Sequence, residues 1–97
     1  MDLILYIIER GVLYKVHKIE LVQEKILSEI QSLLNYNDNI SIEQNLFVLG
    51  LDSLKSIELI VNLEEAFNIE FDDEELSSNL VENVDALSKR VFEKIME

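Results

Sequence analysis

Hydrophobic residues recur every three or four positions in two stretches of the chain, and this spacing predicts amphipathic helices over residues 19–34 and about 84–95. The two apolar stripes are Ile19, Val22, Ile26, Ile30 and Leu33 in the first stretch and Val84, Leu87, Val91 and Ile95 in the second. Between them a helix is predicted from Ser53 to about Phe67, because Asp52 is a good N-cap whose charge suits the positive end of the helix dipole. A short helical turn is predicted over residues 72–80. The expected fold class is all-α, a small bundle of three main helices plus one short helix.

The segments between these helices contain residues that interrupt or cap helices. The first helix runs into residues 35–39, where Asn and Asp side chains compete for backbone hydrogen bonds. Residues 40–51 form a connection, and we expect its apolar residues Leu46, Phe47 and Leu49 to pack against the core. Asn83 can cap the last helix. The last helix has cations towards its C-terminus, where the helix dipole favours them: Lys89, Arg90 and Lys94.

Residues 1–18 allow two interpretations. The apolar runs Leu3–Ile8 and Val12–Val16 flank Glu9-Arg10-Gly11, so they could pair as a hairpin or extend the first helix. The helix is the favoured interpretation, because the rest of the chain is predicted to be helical. In either form the apolar residues need a partner, within the molecule or on a second copy. We therefore divide the chain into an N-terminal extension over residues 1–18, which could support self-association, and a main domain over residues 19–97.

The predicted helix over residues 53–67 has two apolar faces. On a helical wheel of about 100° per residue, the core face consists of Leu59, Ile60, Leu63, Ala66 and Phe67. Leu54, Ile57 and Val61 form a second strip on roughly the opposite side. Acids border this strip, with Glu64 at one edge and Glu58 and Glu65 at the other. Exposed apolar residues rimmed by charge indicate a docking surface. The alternative is that residues 1–18 fold over the strip and bury it.

The composition describes one small folded domain with an uneven charge. The chain has 97 residues, of which 48% are hydrophobic and 29% charged, with no proline and two glycines, a scarcity of breakers that favours helices. Residues 1–25 contain four acids and four bases, so residues 26–97 hold the whole net charge of −12. Such a surface repels nucleic acids and anionic lipids and attracts partners with basic patches.

Several function classes are disfavoured by what the sequence lacks. Without cysteine there is no disulfide framework, thiolate nucleophile or cysteine metal site. The longest apolar run, Leu3–Ile8, is far shorter than the ~20 residues of a membrane span, and it lacks the positive start of a secretory signal. The expectation is a soluble cytoplasmic protein without membrane insertion. The only histidine, His17, has no motif around it, so we interpret it as a surface or packing residue and predict neither catalytic residues nor metal ligands.

A nine-residue run at the predicted loop-to-helix junction is the most specific motif. Residues 46–54, Leu-Phe-Val-Leu-Gly-Leu-Asp-Ser-Leu, resemble the signature of acyl carrier proteins and related phosphopantetheine-binding domains. The continuation Ile57-Glu58-Leu59 and the acids at 72–75 also resemble the family, and the resemblance covers about residues 19–95. One departure is Val48, which stands where many members have an acid.

The residue types at this junction also have a physical explanation. Gly50 allows a tight turn, and Asp52 caps the helix. Ser53 is then exposed in the first helical turn, where unpaired backbone N–H groups and the dipole suit an attached phosphodiester, although the Asp52 carboxylate opposes it. A nucleophilic serine normally needs a placed base, and the motif contains none. We therefore expect a separate enzyme to act on Ser53.

The resemblance implies that Ser53 bears a covalent 4'-phosphopantetheine arm, with Asp52, Gly50 and Leu54 around the attachment point. It implies a phosphopantetheinyl transferase that uses coenzyme A and Mg²⁺. It also implies acyl groups held as thioesters and delivered to enzymes of fatty-acid, polyketide or related synthesis. The recognition face of the family matches the strip found on the wheel, namely Leu54, Ile57, Glu58, Val61, Glu64 and Glu65. Residues 49–53 are closer to acyl carriers than to the Gly-Gly-His-Ser style of many peptidyl carriers, but aminoacyl or peptidyl carriers remain open.

Other classes fit the sequence less well. The acids at 72–75 lack the alternating ligands and central glycine of an EF-hand loop, so we interpret them as a solvated helix start rather than a calcium site. A non-catalytic helical protein–protein interaction module is a second alternative, and it predicts no modification of Ser53. An enzyme is disfavoured, because the sequence has no Gly-rich phosphate loop, metal-ligand spacing or nucleophile–base pair.

Overall fold

The helices predicted from periodicity are present, with bounds close to those expected. The computed structural model describes residues 5–9, 12–16, 19–76 and 79–96, and only the backbone of the first two ranges. The elements, in chain order, are β1 (Leu5–Glu9), β2 (Val12–Val16), α1 (Ile19–Leu34), α2 (Ser53–Phe67), a 3-10 turn (Asp73–Glu75) and α3 (Val84–Met96). The described residues between 19 and 96 thus form the expected bundle of three helices and one short helical turn, and the all-α class is confirmed for them.

The N-terminal segment is a β-hairpin, so the favoured helical interpretation is wrong. β1 and β2 are antiparallel, with Leu5 opposite Val16 and Glu9 opposite Val12. The reason lies in composition, since β-branched and aromatic residues dominate both runs and favour strands over helices. The side chains of residues 1–18 lie outside the described part of the chain, as does the expectation that they pack on the molecule or on a second copy.

The core lies where the three helices meet. α1 packs against α3 and α2, and each helix contributes side chains that are fully buried. These are Val22, Ile26 and Ile30 from α1, Leu59 and Leu63 from α2, and Val84, Leu87 and Val91 from α3. The predicted core face of α2 is confirmed, with Ile60 and Phe67 buried and Ala66 packed against the core.

The connection from α1 to α2 is tied to the start of α3. Two backbone hydrogen bonds join them, from the Leu46 N–H to the Glu82 carbonyl (2.8 Å) and from the Asp85 N–H to the Ile42 carbonyl (2.9 Å). Leu46 is fully buried and Leu49 packs against the core, as predicted. Phe47 does not follow that prediction.

Phe47 is 40% exposed. Its N–H bonds to the Asn45 side chain (2.9 Å). It follows the buried Leu46 in a tight turn, so its side chain does not point into the core with that of Leu46.

Of two further predictions, the cap of α3 is confirmed and the length of the short helix is corrected. The Asn83 side chain accepts from the Ala86 N–H (2.7 Å), so the predicted cap of α3 is confirmed. The short helix is smaller than expected, because among the described residues of the predicted range 72–80 only Asp73–Glu75 form a 3-10 turn. Apolar residues in this stretch follow no helical stripe, and Leu80 and Val81 enter the core together at a turn. Among the described helices, none is long and apolar enough to cross a membrane.

Candidate functional site at the start of helix α2

The turn before α2 requires a glycine. Gly50 has a φ of +112°, a conformation that side-chain-bearing residues rarely adopt. Its neighbour Leu51 is 1% exposed and donates its N–H to the Leu46 carbonyl (3.1 Å). The buried leucine anchors the turn, so the chain enters α2 from a fixed point.

Asp52 and Ser53 occupy the first turn of α2 in different ways. The Asp52 carboxylate accepts from the Lys55 N–H (2.9 Å), as an N-cap does. Ser53 is the first helical residue and is exposed. The next serine, Ser56, is less accessible, and its hydroxyl donates to the Asp52 carbonyl (2.8 Å). Ser53 therefore offers an exposed hydroxyl at a helix N-terminus, a position that favours an attached anion.

A groove of about 510 Å³ begins beside Ser53 and runs between α2 and the segment of residues 68–83. This volume is within the range of roughly 300–1,000 Å³ typical of ligand pockets. The side chains that line it are mostly apolar: Phe47, Ser53, Ser56, Ile57, Ile60, Val61, Glu64, Phe71, Asp73, Leu76, Leu80 and Val81. The groove can shelter an apolar group attached near Ser53. It was not anticipated from the sequence, because the position of residues 68–83 against α2 depends on tertiary packing rather than on a local pattern.

The apolar strip on α2 is exposed, as the wheel predicts. Leu54, Ile57 and Val61 are 67%, 62% and 44% exposed. The alternative, in which residues 1–18 bury the strip, concerns side chains outside the described part of the chain. Val48 is 76% exposed and Phe47 40%, at the turn before the helix. Exposed apolar residues thus both precede and follow Ser53 in the chain.

The three acids assigned to the strip do not share one environment. Glu58 and Glu65 are exposed. Glu64 is half-buried, and its Oε2 accepts from the Phe71 N–H (2.9 Å). Its backbone carbonyl also accepts from the Ile69 N–H (3.1 Å) at the end of α2. Glu64 therefore connects α2 to residues 69 and 71 on the other side of the groove, and it also lies at the edge of the strip.

An ion-pair cluster on the opposite wall was missed at the level of sequence. Glu75 receives Lys94 Nζ at 2.6 Å and Arg90 Nε at 2.6 Å. Burial works to raise the pKa of Glu75, but hydrogen bonds from Lys94, the Asp72 backbone and Arg90 outweigh it and lower the pKa to about 2. The hydrogen bond with Glu75 is the main cause that raises the pKa of Arg90.

A sequence signal for this cluster does exist. Arg90 and Lys94 are four residues apart on α3 and therefore share one face. Their position near the C-terminus of α3 also suits the helix dipole, and that dipole alone does not indicate a partner outside α3. In the described part of the chain, no group of three or more acidic or histidine side chains is arranged to hold a metal ion.

Comparison with known proteins identifies relatives of the chain. A family model for the phosphopantetheine attachment site matches residues 24–91. The chain is 51% identical to an acyl carrier protein from Guillardia theta over 45 residues, which cover 44% of this chain and 56% of that protein. It is 34% identical to an aminoacyl carrier protein from Agrobacterium fabrum over 67 residues, covering 69% of this chain and 81% of that one.

Another relative is an acyl carrier protein from Cyanidium caldarium, 35% identical over 79 residues, with 75% of this chain and 90% of that protein covered. No solved structure gives a significant match. The family match includes the turn, the start of α2 and the groove described above. The chain therefore belongs to the acyl carrier protein family, whose members are carriers with a covalently attached 4'-phosphopantetheine.

Proposed function

We propose that Ser53 is the residue to which the 4'-phosphopantetheine is attached. The observation that supports this proposal is the position of its exposed hydroxyl, at the first residue of α2 and in the lining of the groove. The residues fit the group, because the helix N-terminus suits a phosphodiester and the groove leads away from the serine. When bound, the arm supplies a terminal thiol that forms thioesters. Gly50, Asp52 and Leu54 shape the surroundings of the attachment point.

The cargo we favour is an acyl group from fatty-acid, polyketide or related synthesis. The reason is the groove, whose walls include Ile57, Ile60, Phe71 and Leu80 and therefore suit a hydrocarbon chain. An aminoacyl cargo is the second candidate, since one relative is named an aminoacyl carrier protein. A charged amino group would lose hydration on entering such a groove. We therefore expect the groove to protect an acyl thioester from cleavage more than an aminoacyl thioester, and this difference separates the two candidate cargoes.

Partner enzymes are proposed to dock on the exposed strip of α2. Leu54, Ile57 and Val61 supply apolar contact, and the exposed acids Glu58 and Glu65 attract basic patches. The partners include a phosphopantetheinyl transferase with coenzyme A and enzymes that load or process the cargo. In this proposal the chain performs no catalysis itself, and the cell compartment is the cytoplasm.

The test of attachment is incubation with coenzyme A, Mg²⁺ and a transferase of broad specificity, followed by intact mass measurement. The expected result is a gain of one phosphopantetheine in the wild type and no gain in Ser53→Ala. Ser56→Ala is the matched control, because this serine lies in the next turn and lines the same groove. An unchanged wild-type mass, or a gain that persists in Ser53→Ala, would contradict the proposal and favour a non-catalytic interaction module.

A further inference from the structure

The groove has one wall that lacks regular structure over most of its length. Residues 68–83 follow α2, and within the described part of this segment only Asp73–Glu75 are helical. Phe71, Leu80 and Val81 are buried, whereas Leu76 is 47% exposed. We call its described residues, 68–76 and 79–83, the outer wall. A segment with so few backbone hydrogen bonds takes its position from contacts with the rest of the domain.

Polar contacts fasten the outer wall at three places. At its start the Glu64 carboxylate accepts from the Phe71 N–H (2.9 Å). At its end the Glu82 carbonyl accepts from the Leu46 N–H (2.8 Å). Between them Glu75 connects the wall to α3. The middle attachment is the one formed entirely by charged side chains.

Both oxygens of the Glu75 carboxylate are engaged. Oε1 accepts from Lys94 Nζ (2.6 Å) and from the Asp72 N–H (2.9 Å), and Oε2 accepts from Arg90 Nε (2.6 Å). The Glu75 and Lys94 side chains are only 12% and 8% exposed. Hydrogen bonds between charged groups are stronger than neutral ones, and shielding from water strengthens them further.

The same cluster touches a residue that lines the groove. Lys94 Nζ lies 5.5 Å from the centroid of the Phe71 ring, within the range of a cation–π contact. Phe71 therefore has α2 and Glu64 on one side and the ammonium of α3 on the other. The Lys94 ammonium thus contacts both the Glu75 carboxylate and the Phe71 ring.

We propose that Glu75 is a positioning residue which, held by Arg90 and Lys94, sets the separation of the outer wall from α2 and so the length of acyl chain that the groove shelters. This inference rests on the proposed function, because it assigns the groove to a chain borne on Ser53. Glu75 is not among the residues that line the groove. It acts through Phe71, Asp73 and Leu76.

The domain contains matched controls for this cluster. Lys89 and Asp85 form an ion pair on the same helix, at 3.0 Å, but Lys89 is 63% exposed and its partner belongs to α3 itself. Glu74 precedes Glu75 in the 3-10 turn and is exposed. Lys89→Met and Glu74→Gln therefore remove a charge of the same sign as that of Lys94 or Glu75, but they leave the attachment of the outer wall to α3 in place.

The first experiment measures backbone hydrogen exchange in the full chain before any modification. In Glu75→Gln, amides of residues 69–76 are expected to exchange about tenfold faster or more, since loss of charge-assisted bonds favours local opening. Amides of α1 should be unchanged. Lys94→Met should give the same pattern while retaining the carboxylate and most of the aliphatic stem. Exchange equal to that of Glu74→Gln and Lys89→Met would overturn the proposal.

The second experiment measures release of acyl groups by hydroxylamine from the modified chain, over a series of saturated acyl lengths. In the wild type, protection should increase with length up to a limit. In Glu75→Gln that limit is expected to shift, with a several-fold change in rate for the longer acyl groups and little change for acetyl. Faster wall exchange with an unaltered length dependence would also overturn the proposal.

The two experiments separate failure of this inference from failure of the proposed function. If Ser53 accepts no phosphopantetheine, the proposed function fails, and this inference about acyl length fails with it. That holds even if hydrogen exchange shows that Glu75 fixes the outer wall. If Ser53 is modified and the wall does not respond to Glu75→Gln, only the positioning role fails.

Discussion

The two walls of the groove are stabilised in different ways. α2 is a continuous helix of 15 residues, capped by Asp52 at its start and by Asn68 in a left-handed conformation at its end. The outer wall has a single helical turn of three residues and is attached through Glu64 and Glu75. The helix is stabilised by its own backbone and its apolar stripe, whereas the wall takes its shape from other elements.

The same residue type also serves opposite purposes on the two walls. Glu58 and Glu65 of α2 are exposed, so their charge is available to a partner. The Glu75 carboxylate of the outer wall is neutralised by Arg90 and Lys94 within the domain. The described acids are therefore divided between exposed carboxylates, to which we assign recognition, and a carboxylate paired within the domain. Each prediction below tests one side of this division.

The largest expected effect comes from truncating the buried face of α2. Leu63 is fully buried, so Leu63→Ala should lower the free energy of unfolding by about 2–5 kcal/mol. Leu54 is 67% exposed, and Leu54→Ala should change it by about 0.5 kcal/mol or less. Urea unfolding measures both. Equal losses would mean that the strip is as buried as the core face.

A smaller loss of unfolding free energy is expected when acid protonates Glu75 and so weakens the attachment of the outer wall. The folded pKa of Glu75 is about 2, below its ordinary value of 4.5. A lowered pKa contributes stability that is present above the unfolded value and is lost as the pH falls through the folded value. The difference in unfolding free energy between wild type and Glu75→Gln should therefore be constant from pH 5 to 8. It should shrink between about pH 4.5 and pH 2.

Unfolding midpoints measured over this pH range test the expected dependence. Glu74→Gln, in the same turn, should track the wild type throughout. A difference that grows on acidification would contradict the assignment of Glu75 as an ionised partner of Arg90 and Lys94.

Loss of the N-cap Asp52 should destabilise α2, with a loss of unfolding free energy comparable to or smaller than that from protonation of Glu75. Asp52→Ala removes the acceptor of the Lys55 N–H and should cost about 1 kcal/mol in urea unfolding. Asp52→Asn, which keeps an acceptor oxygen, should recover most of it. Because Ser53 follows the cap, the rate of modification reports whether a frayed first turn still presents the serine. No recovery in Asp52→Asn would show that charge rather than capping is decisive.

The smallest effect on stability is expected from reversing the exposed charges. Glu58→Lys with Glu65→Lys should leave unfolding almost unchanged but slow modification several-fold at low salt, with the difference shrinking as salt screens the charges. Glu64→Lys is a different case, because it also breaks the bond to the Phe71 N–H and should lower stability. Rates that are equal at every salt concentration would remove the docking role from α2.

Much of the fold could be predicted because its determinants are local. The apolar spacing in α1, α2 and α3, the caps Asp52 and Asn83, and the turn at Gly50 each depend on residues within a few positions of one another. The exposed strip followed from the same spacing. The hairpin is also encoded locally, in the β-branched residues of its two strands, although the helical pattern of the rest of the chain favours a helix there.

The sequence by itself thus determined the helices, the position of Ser53 at the start of α2, and the excess of acid over base in the main domain. Only the tertiary structure decided which acids are free and which are paired. It also decided that Phe47 faces the groove, and that a groove exists at all. The reason is that Glu75 meets Arg90 and Lys94 across 15 or more residues of chain, and such contacts depend on packing rather than on any local pattern.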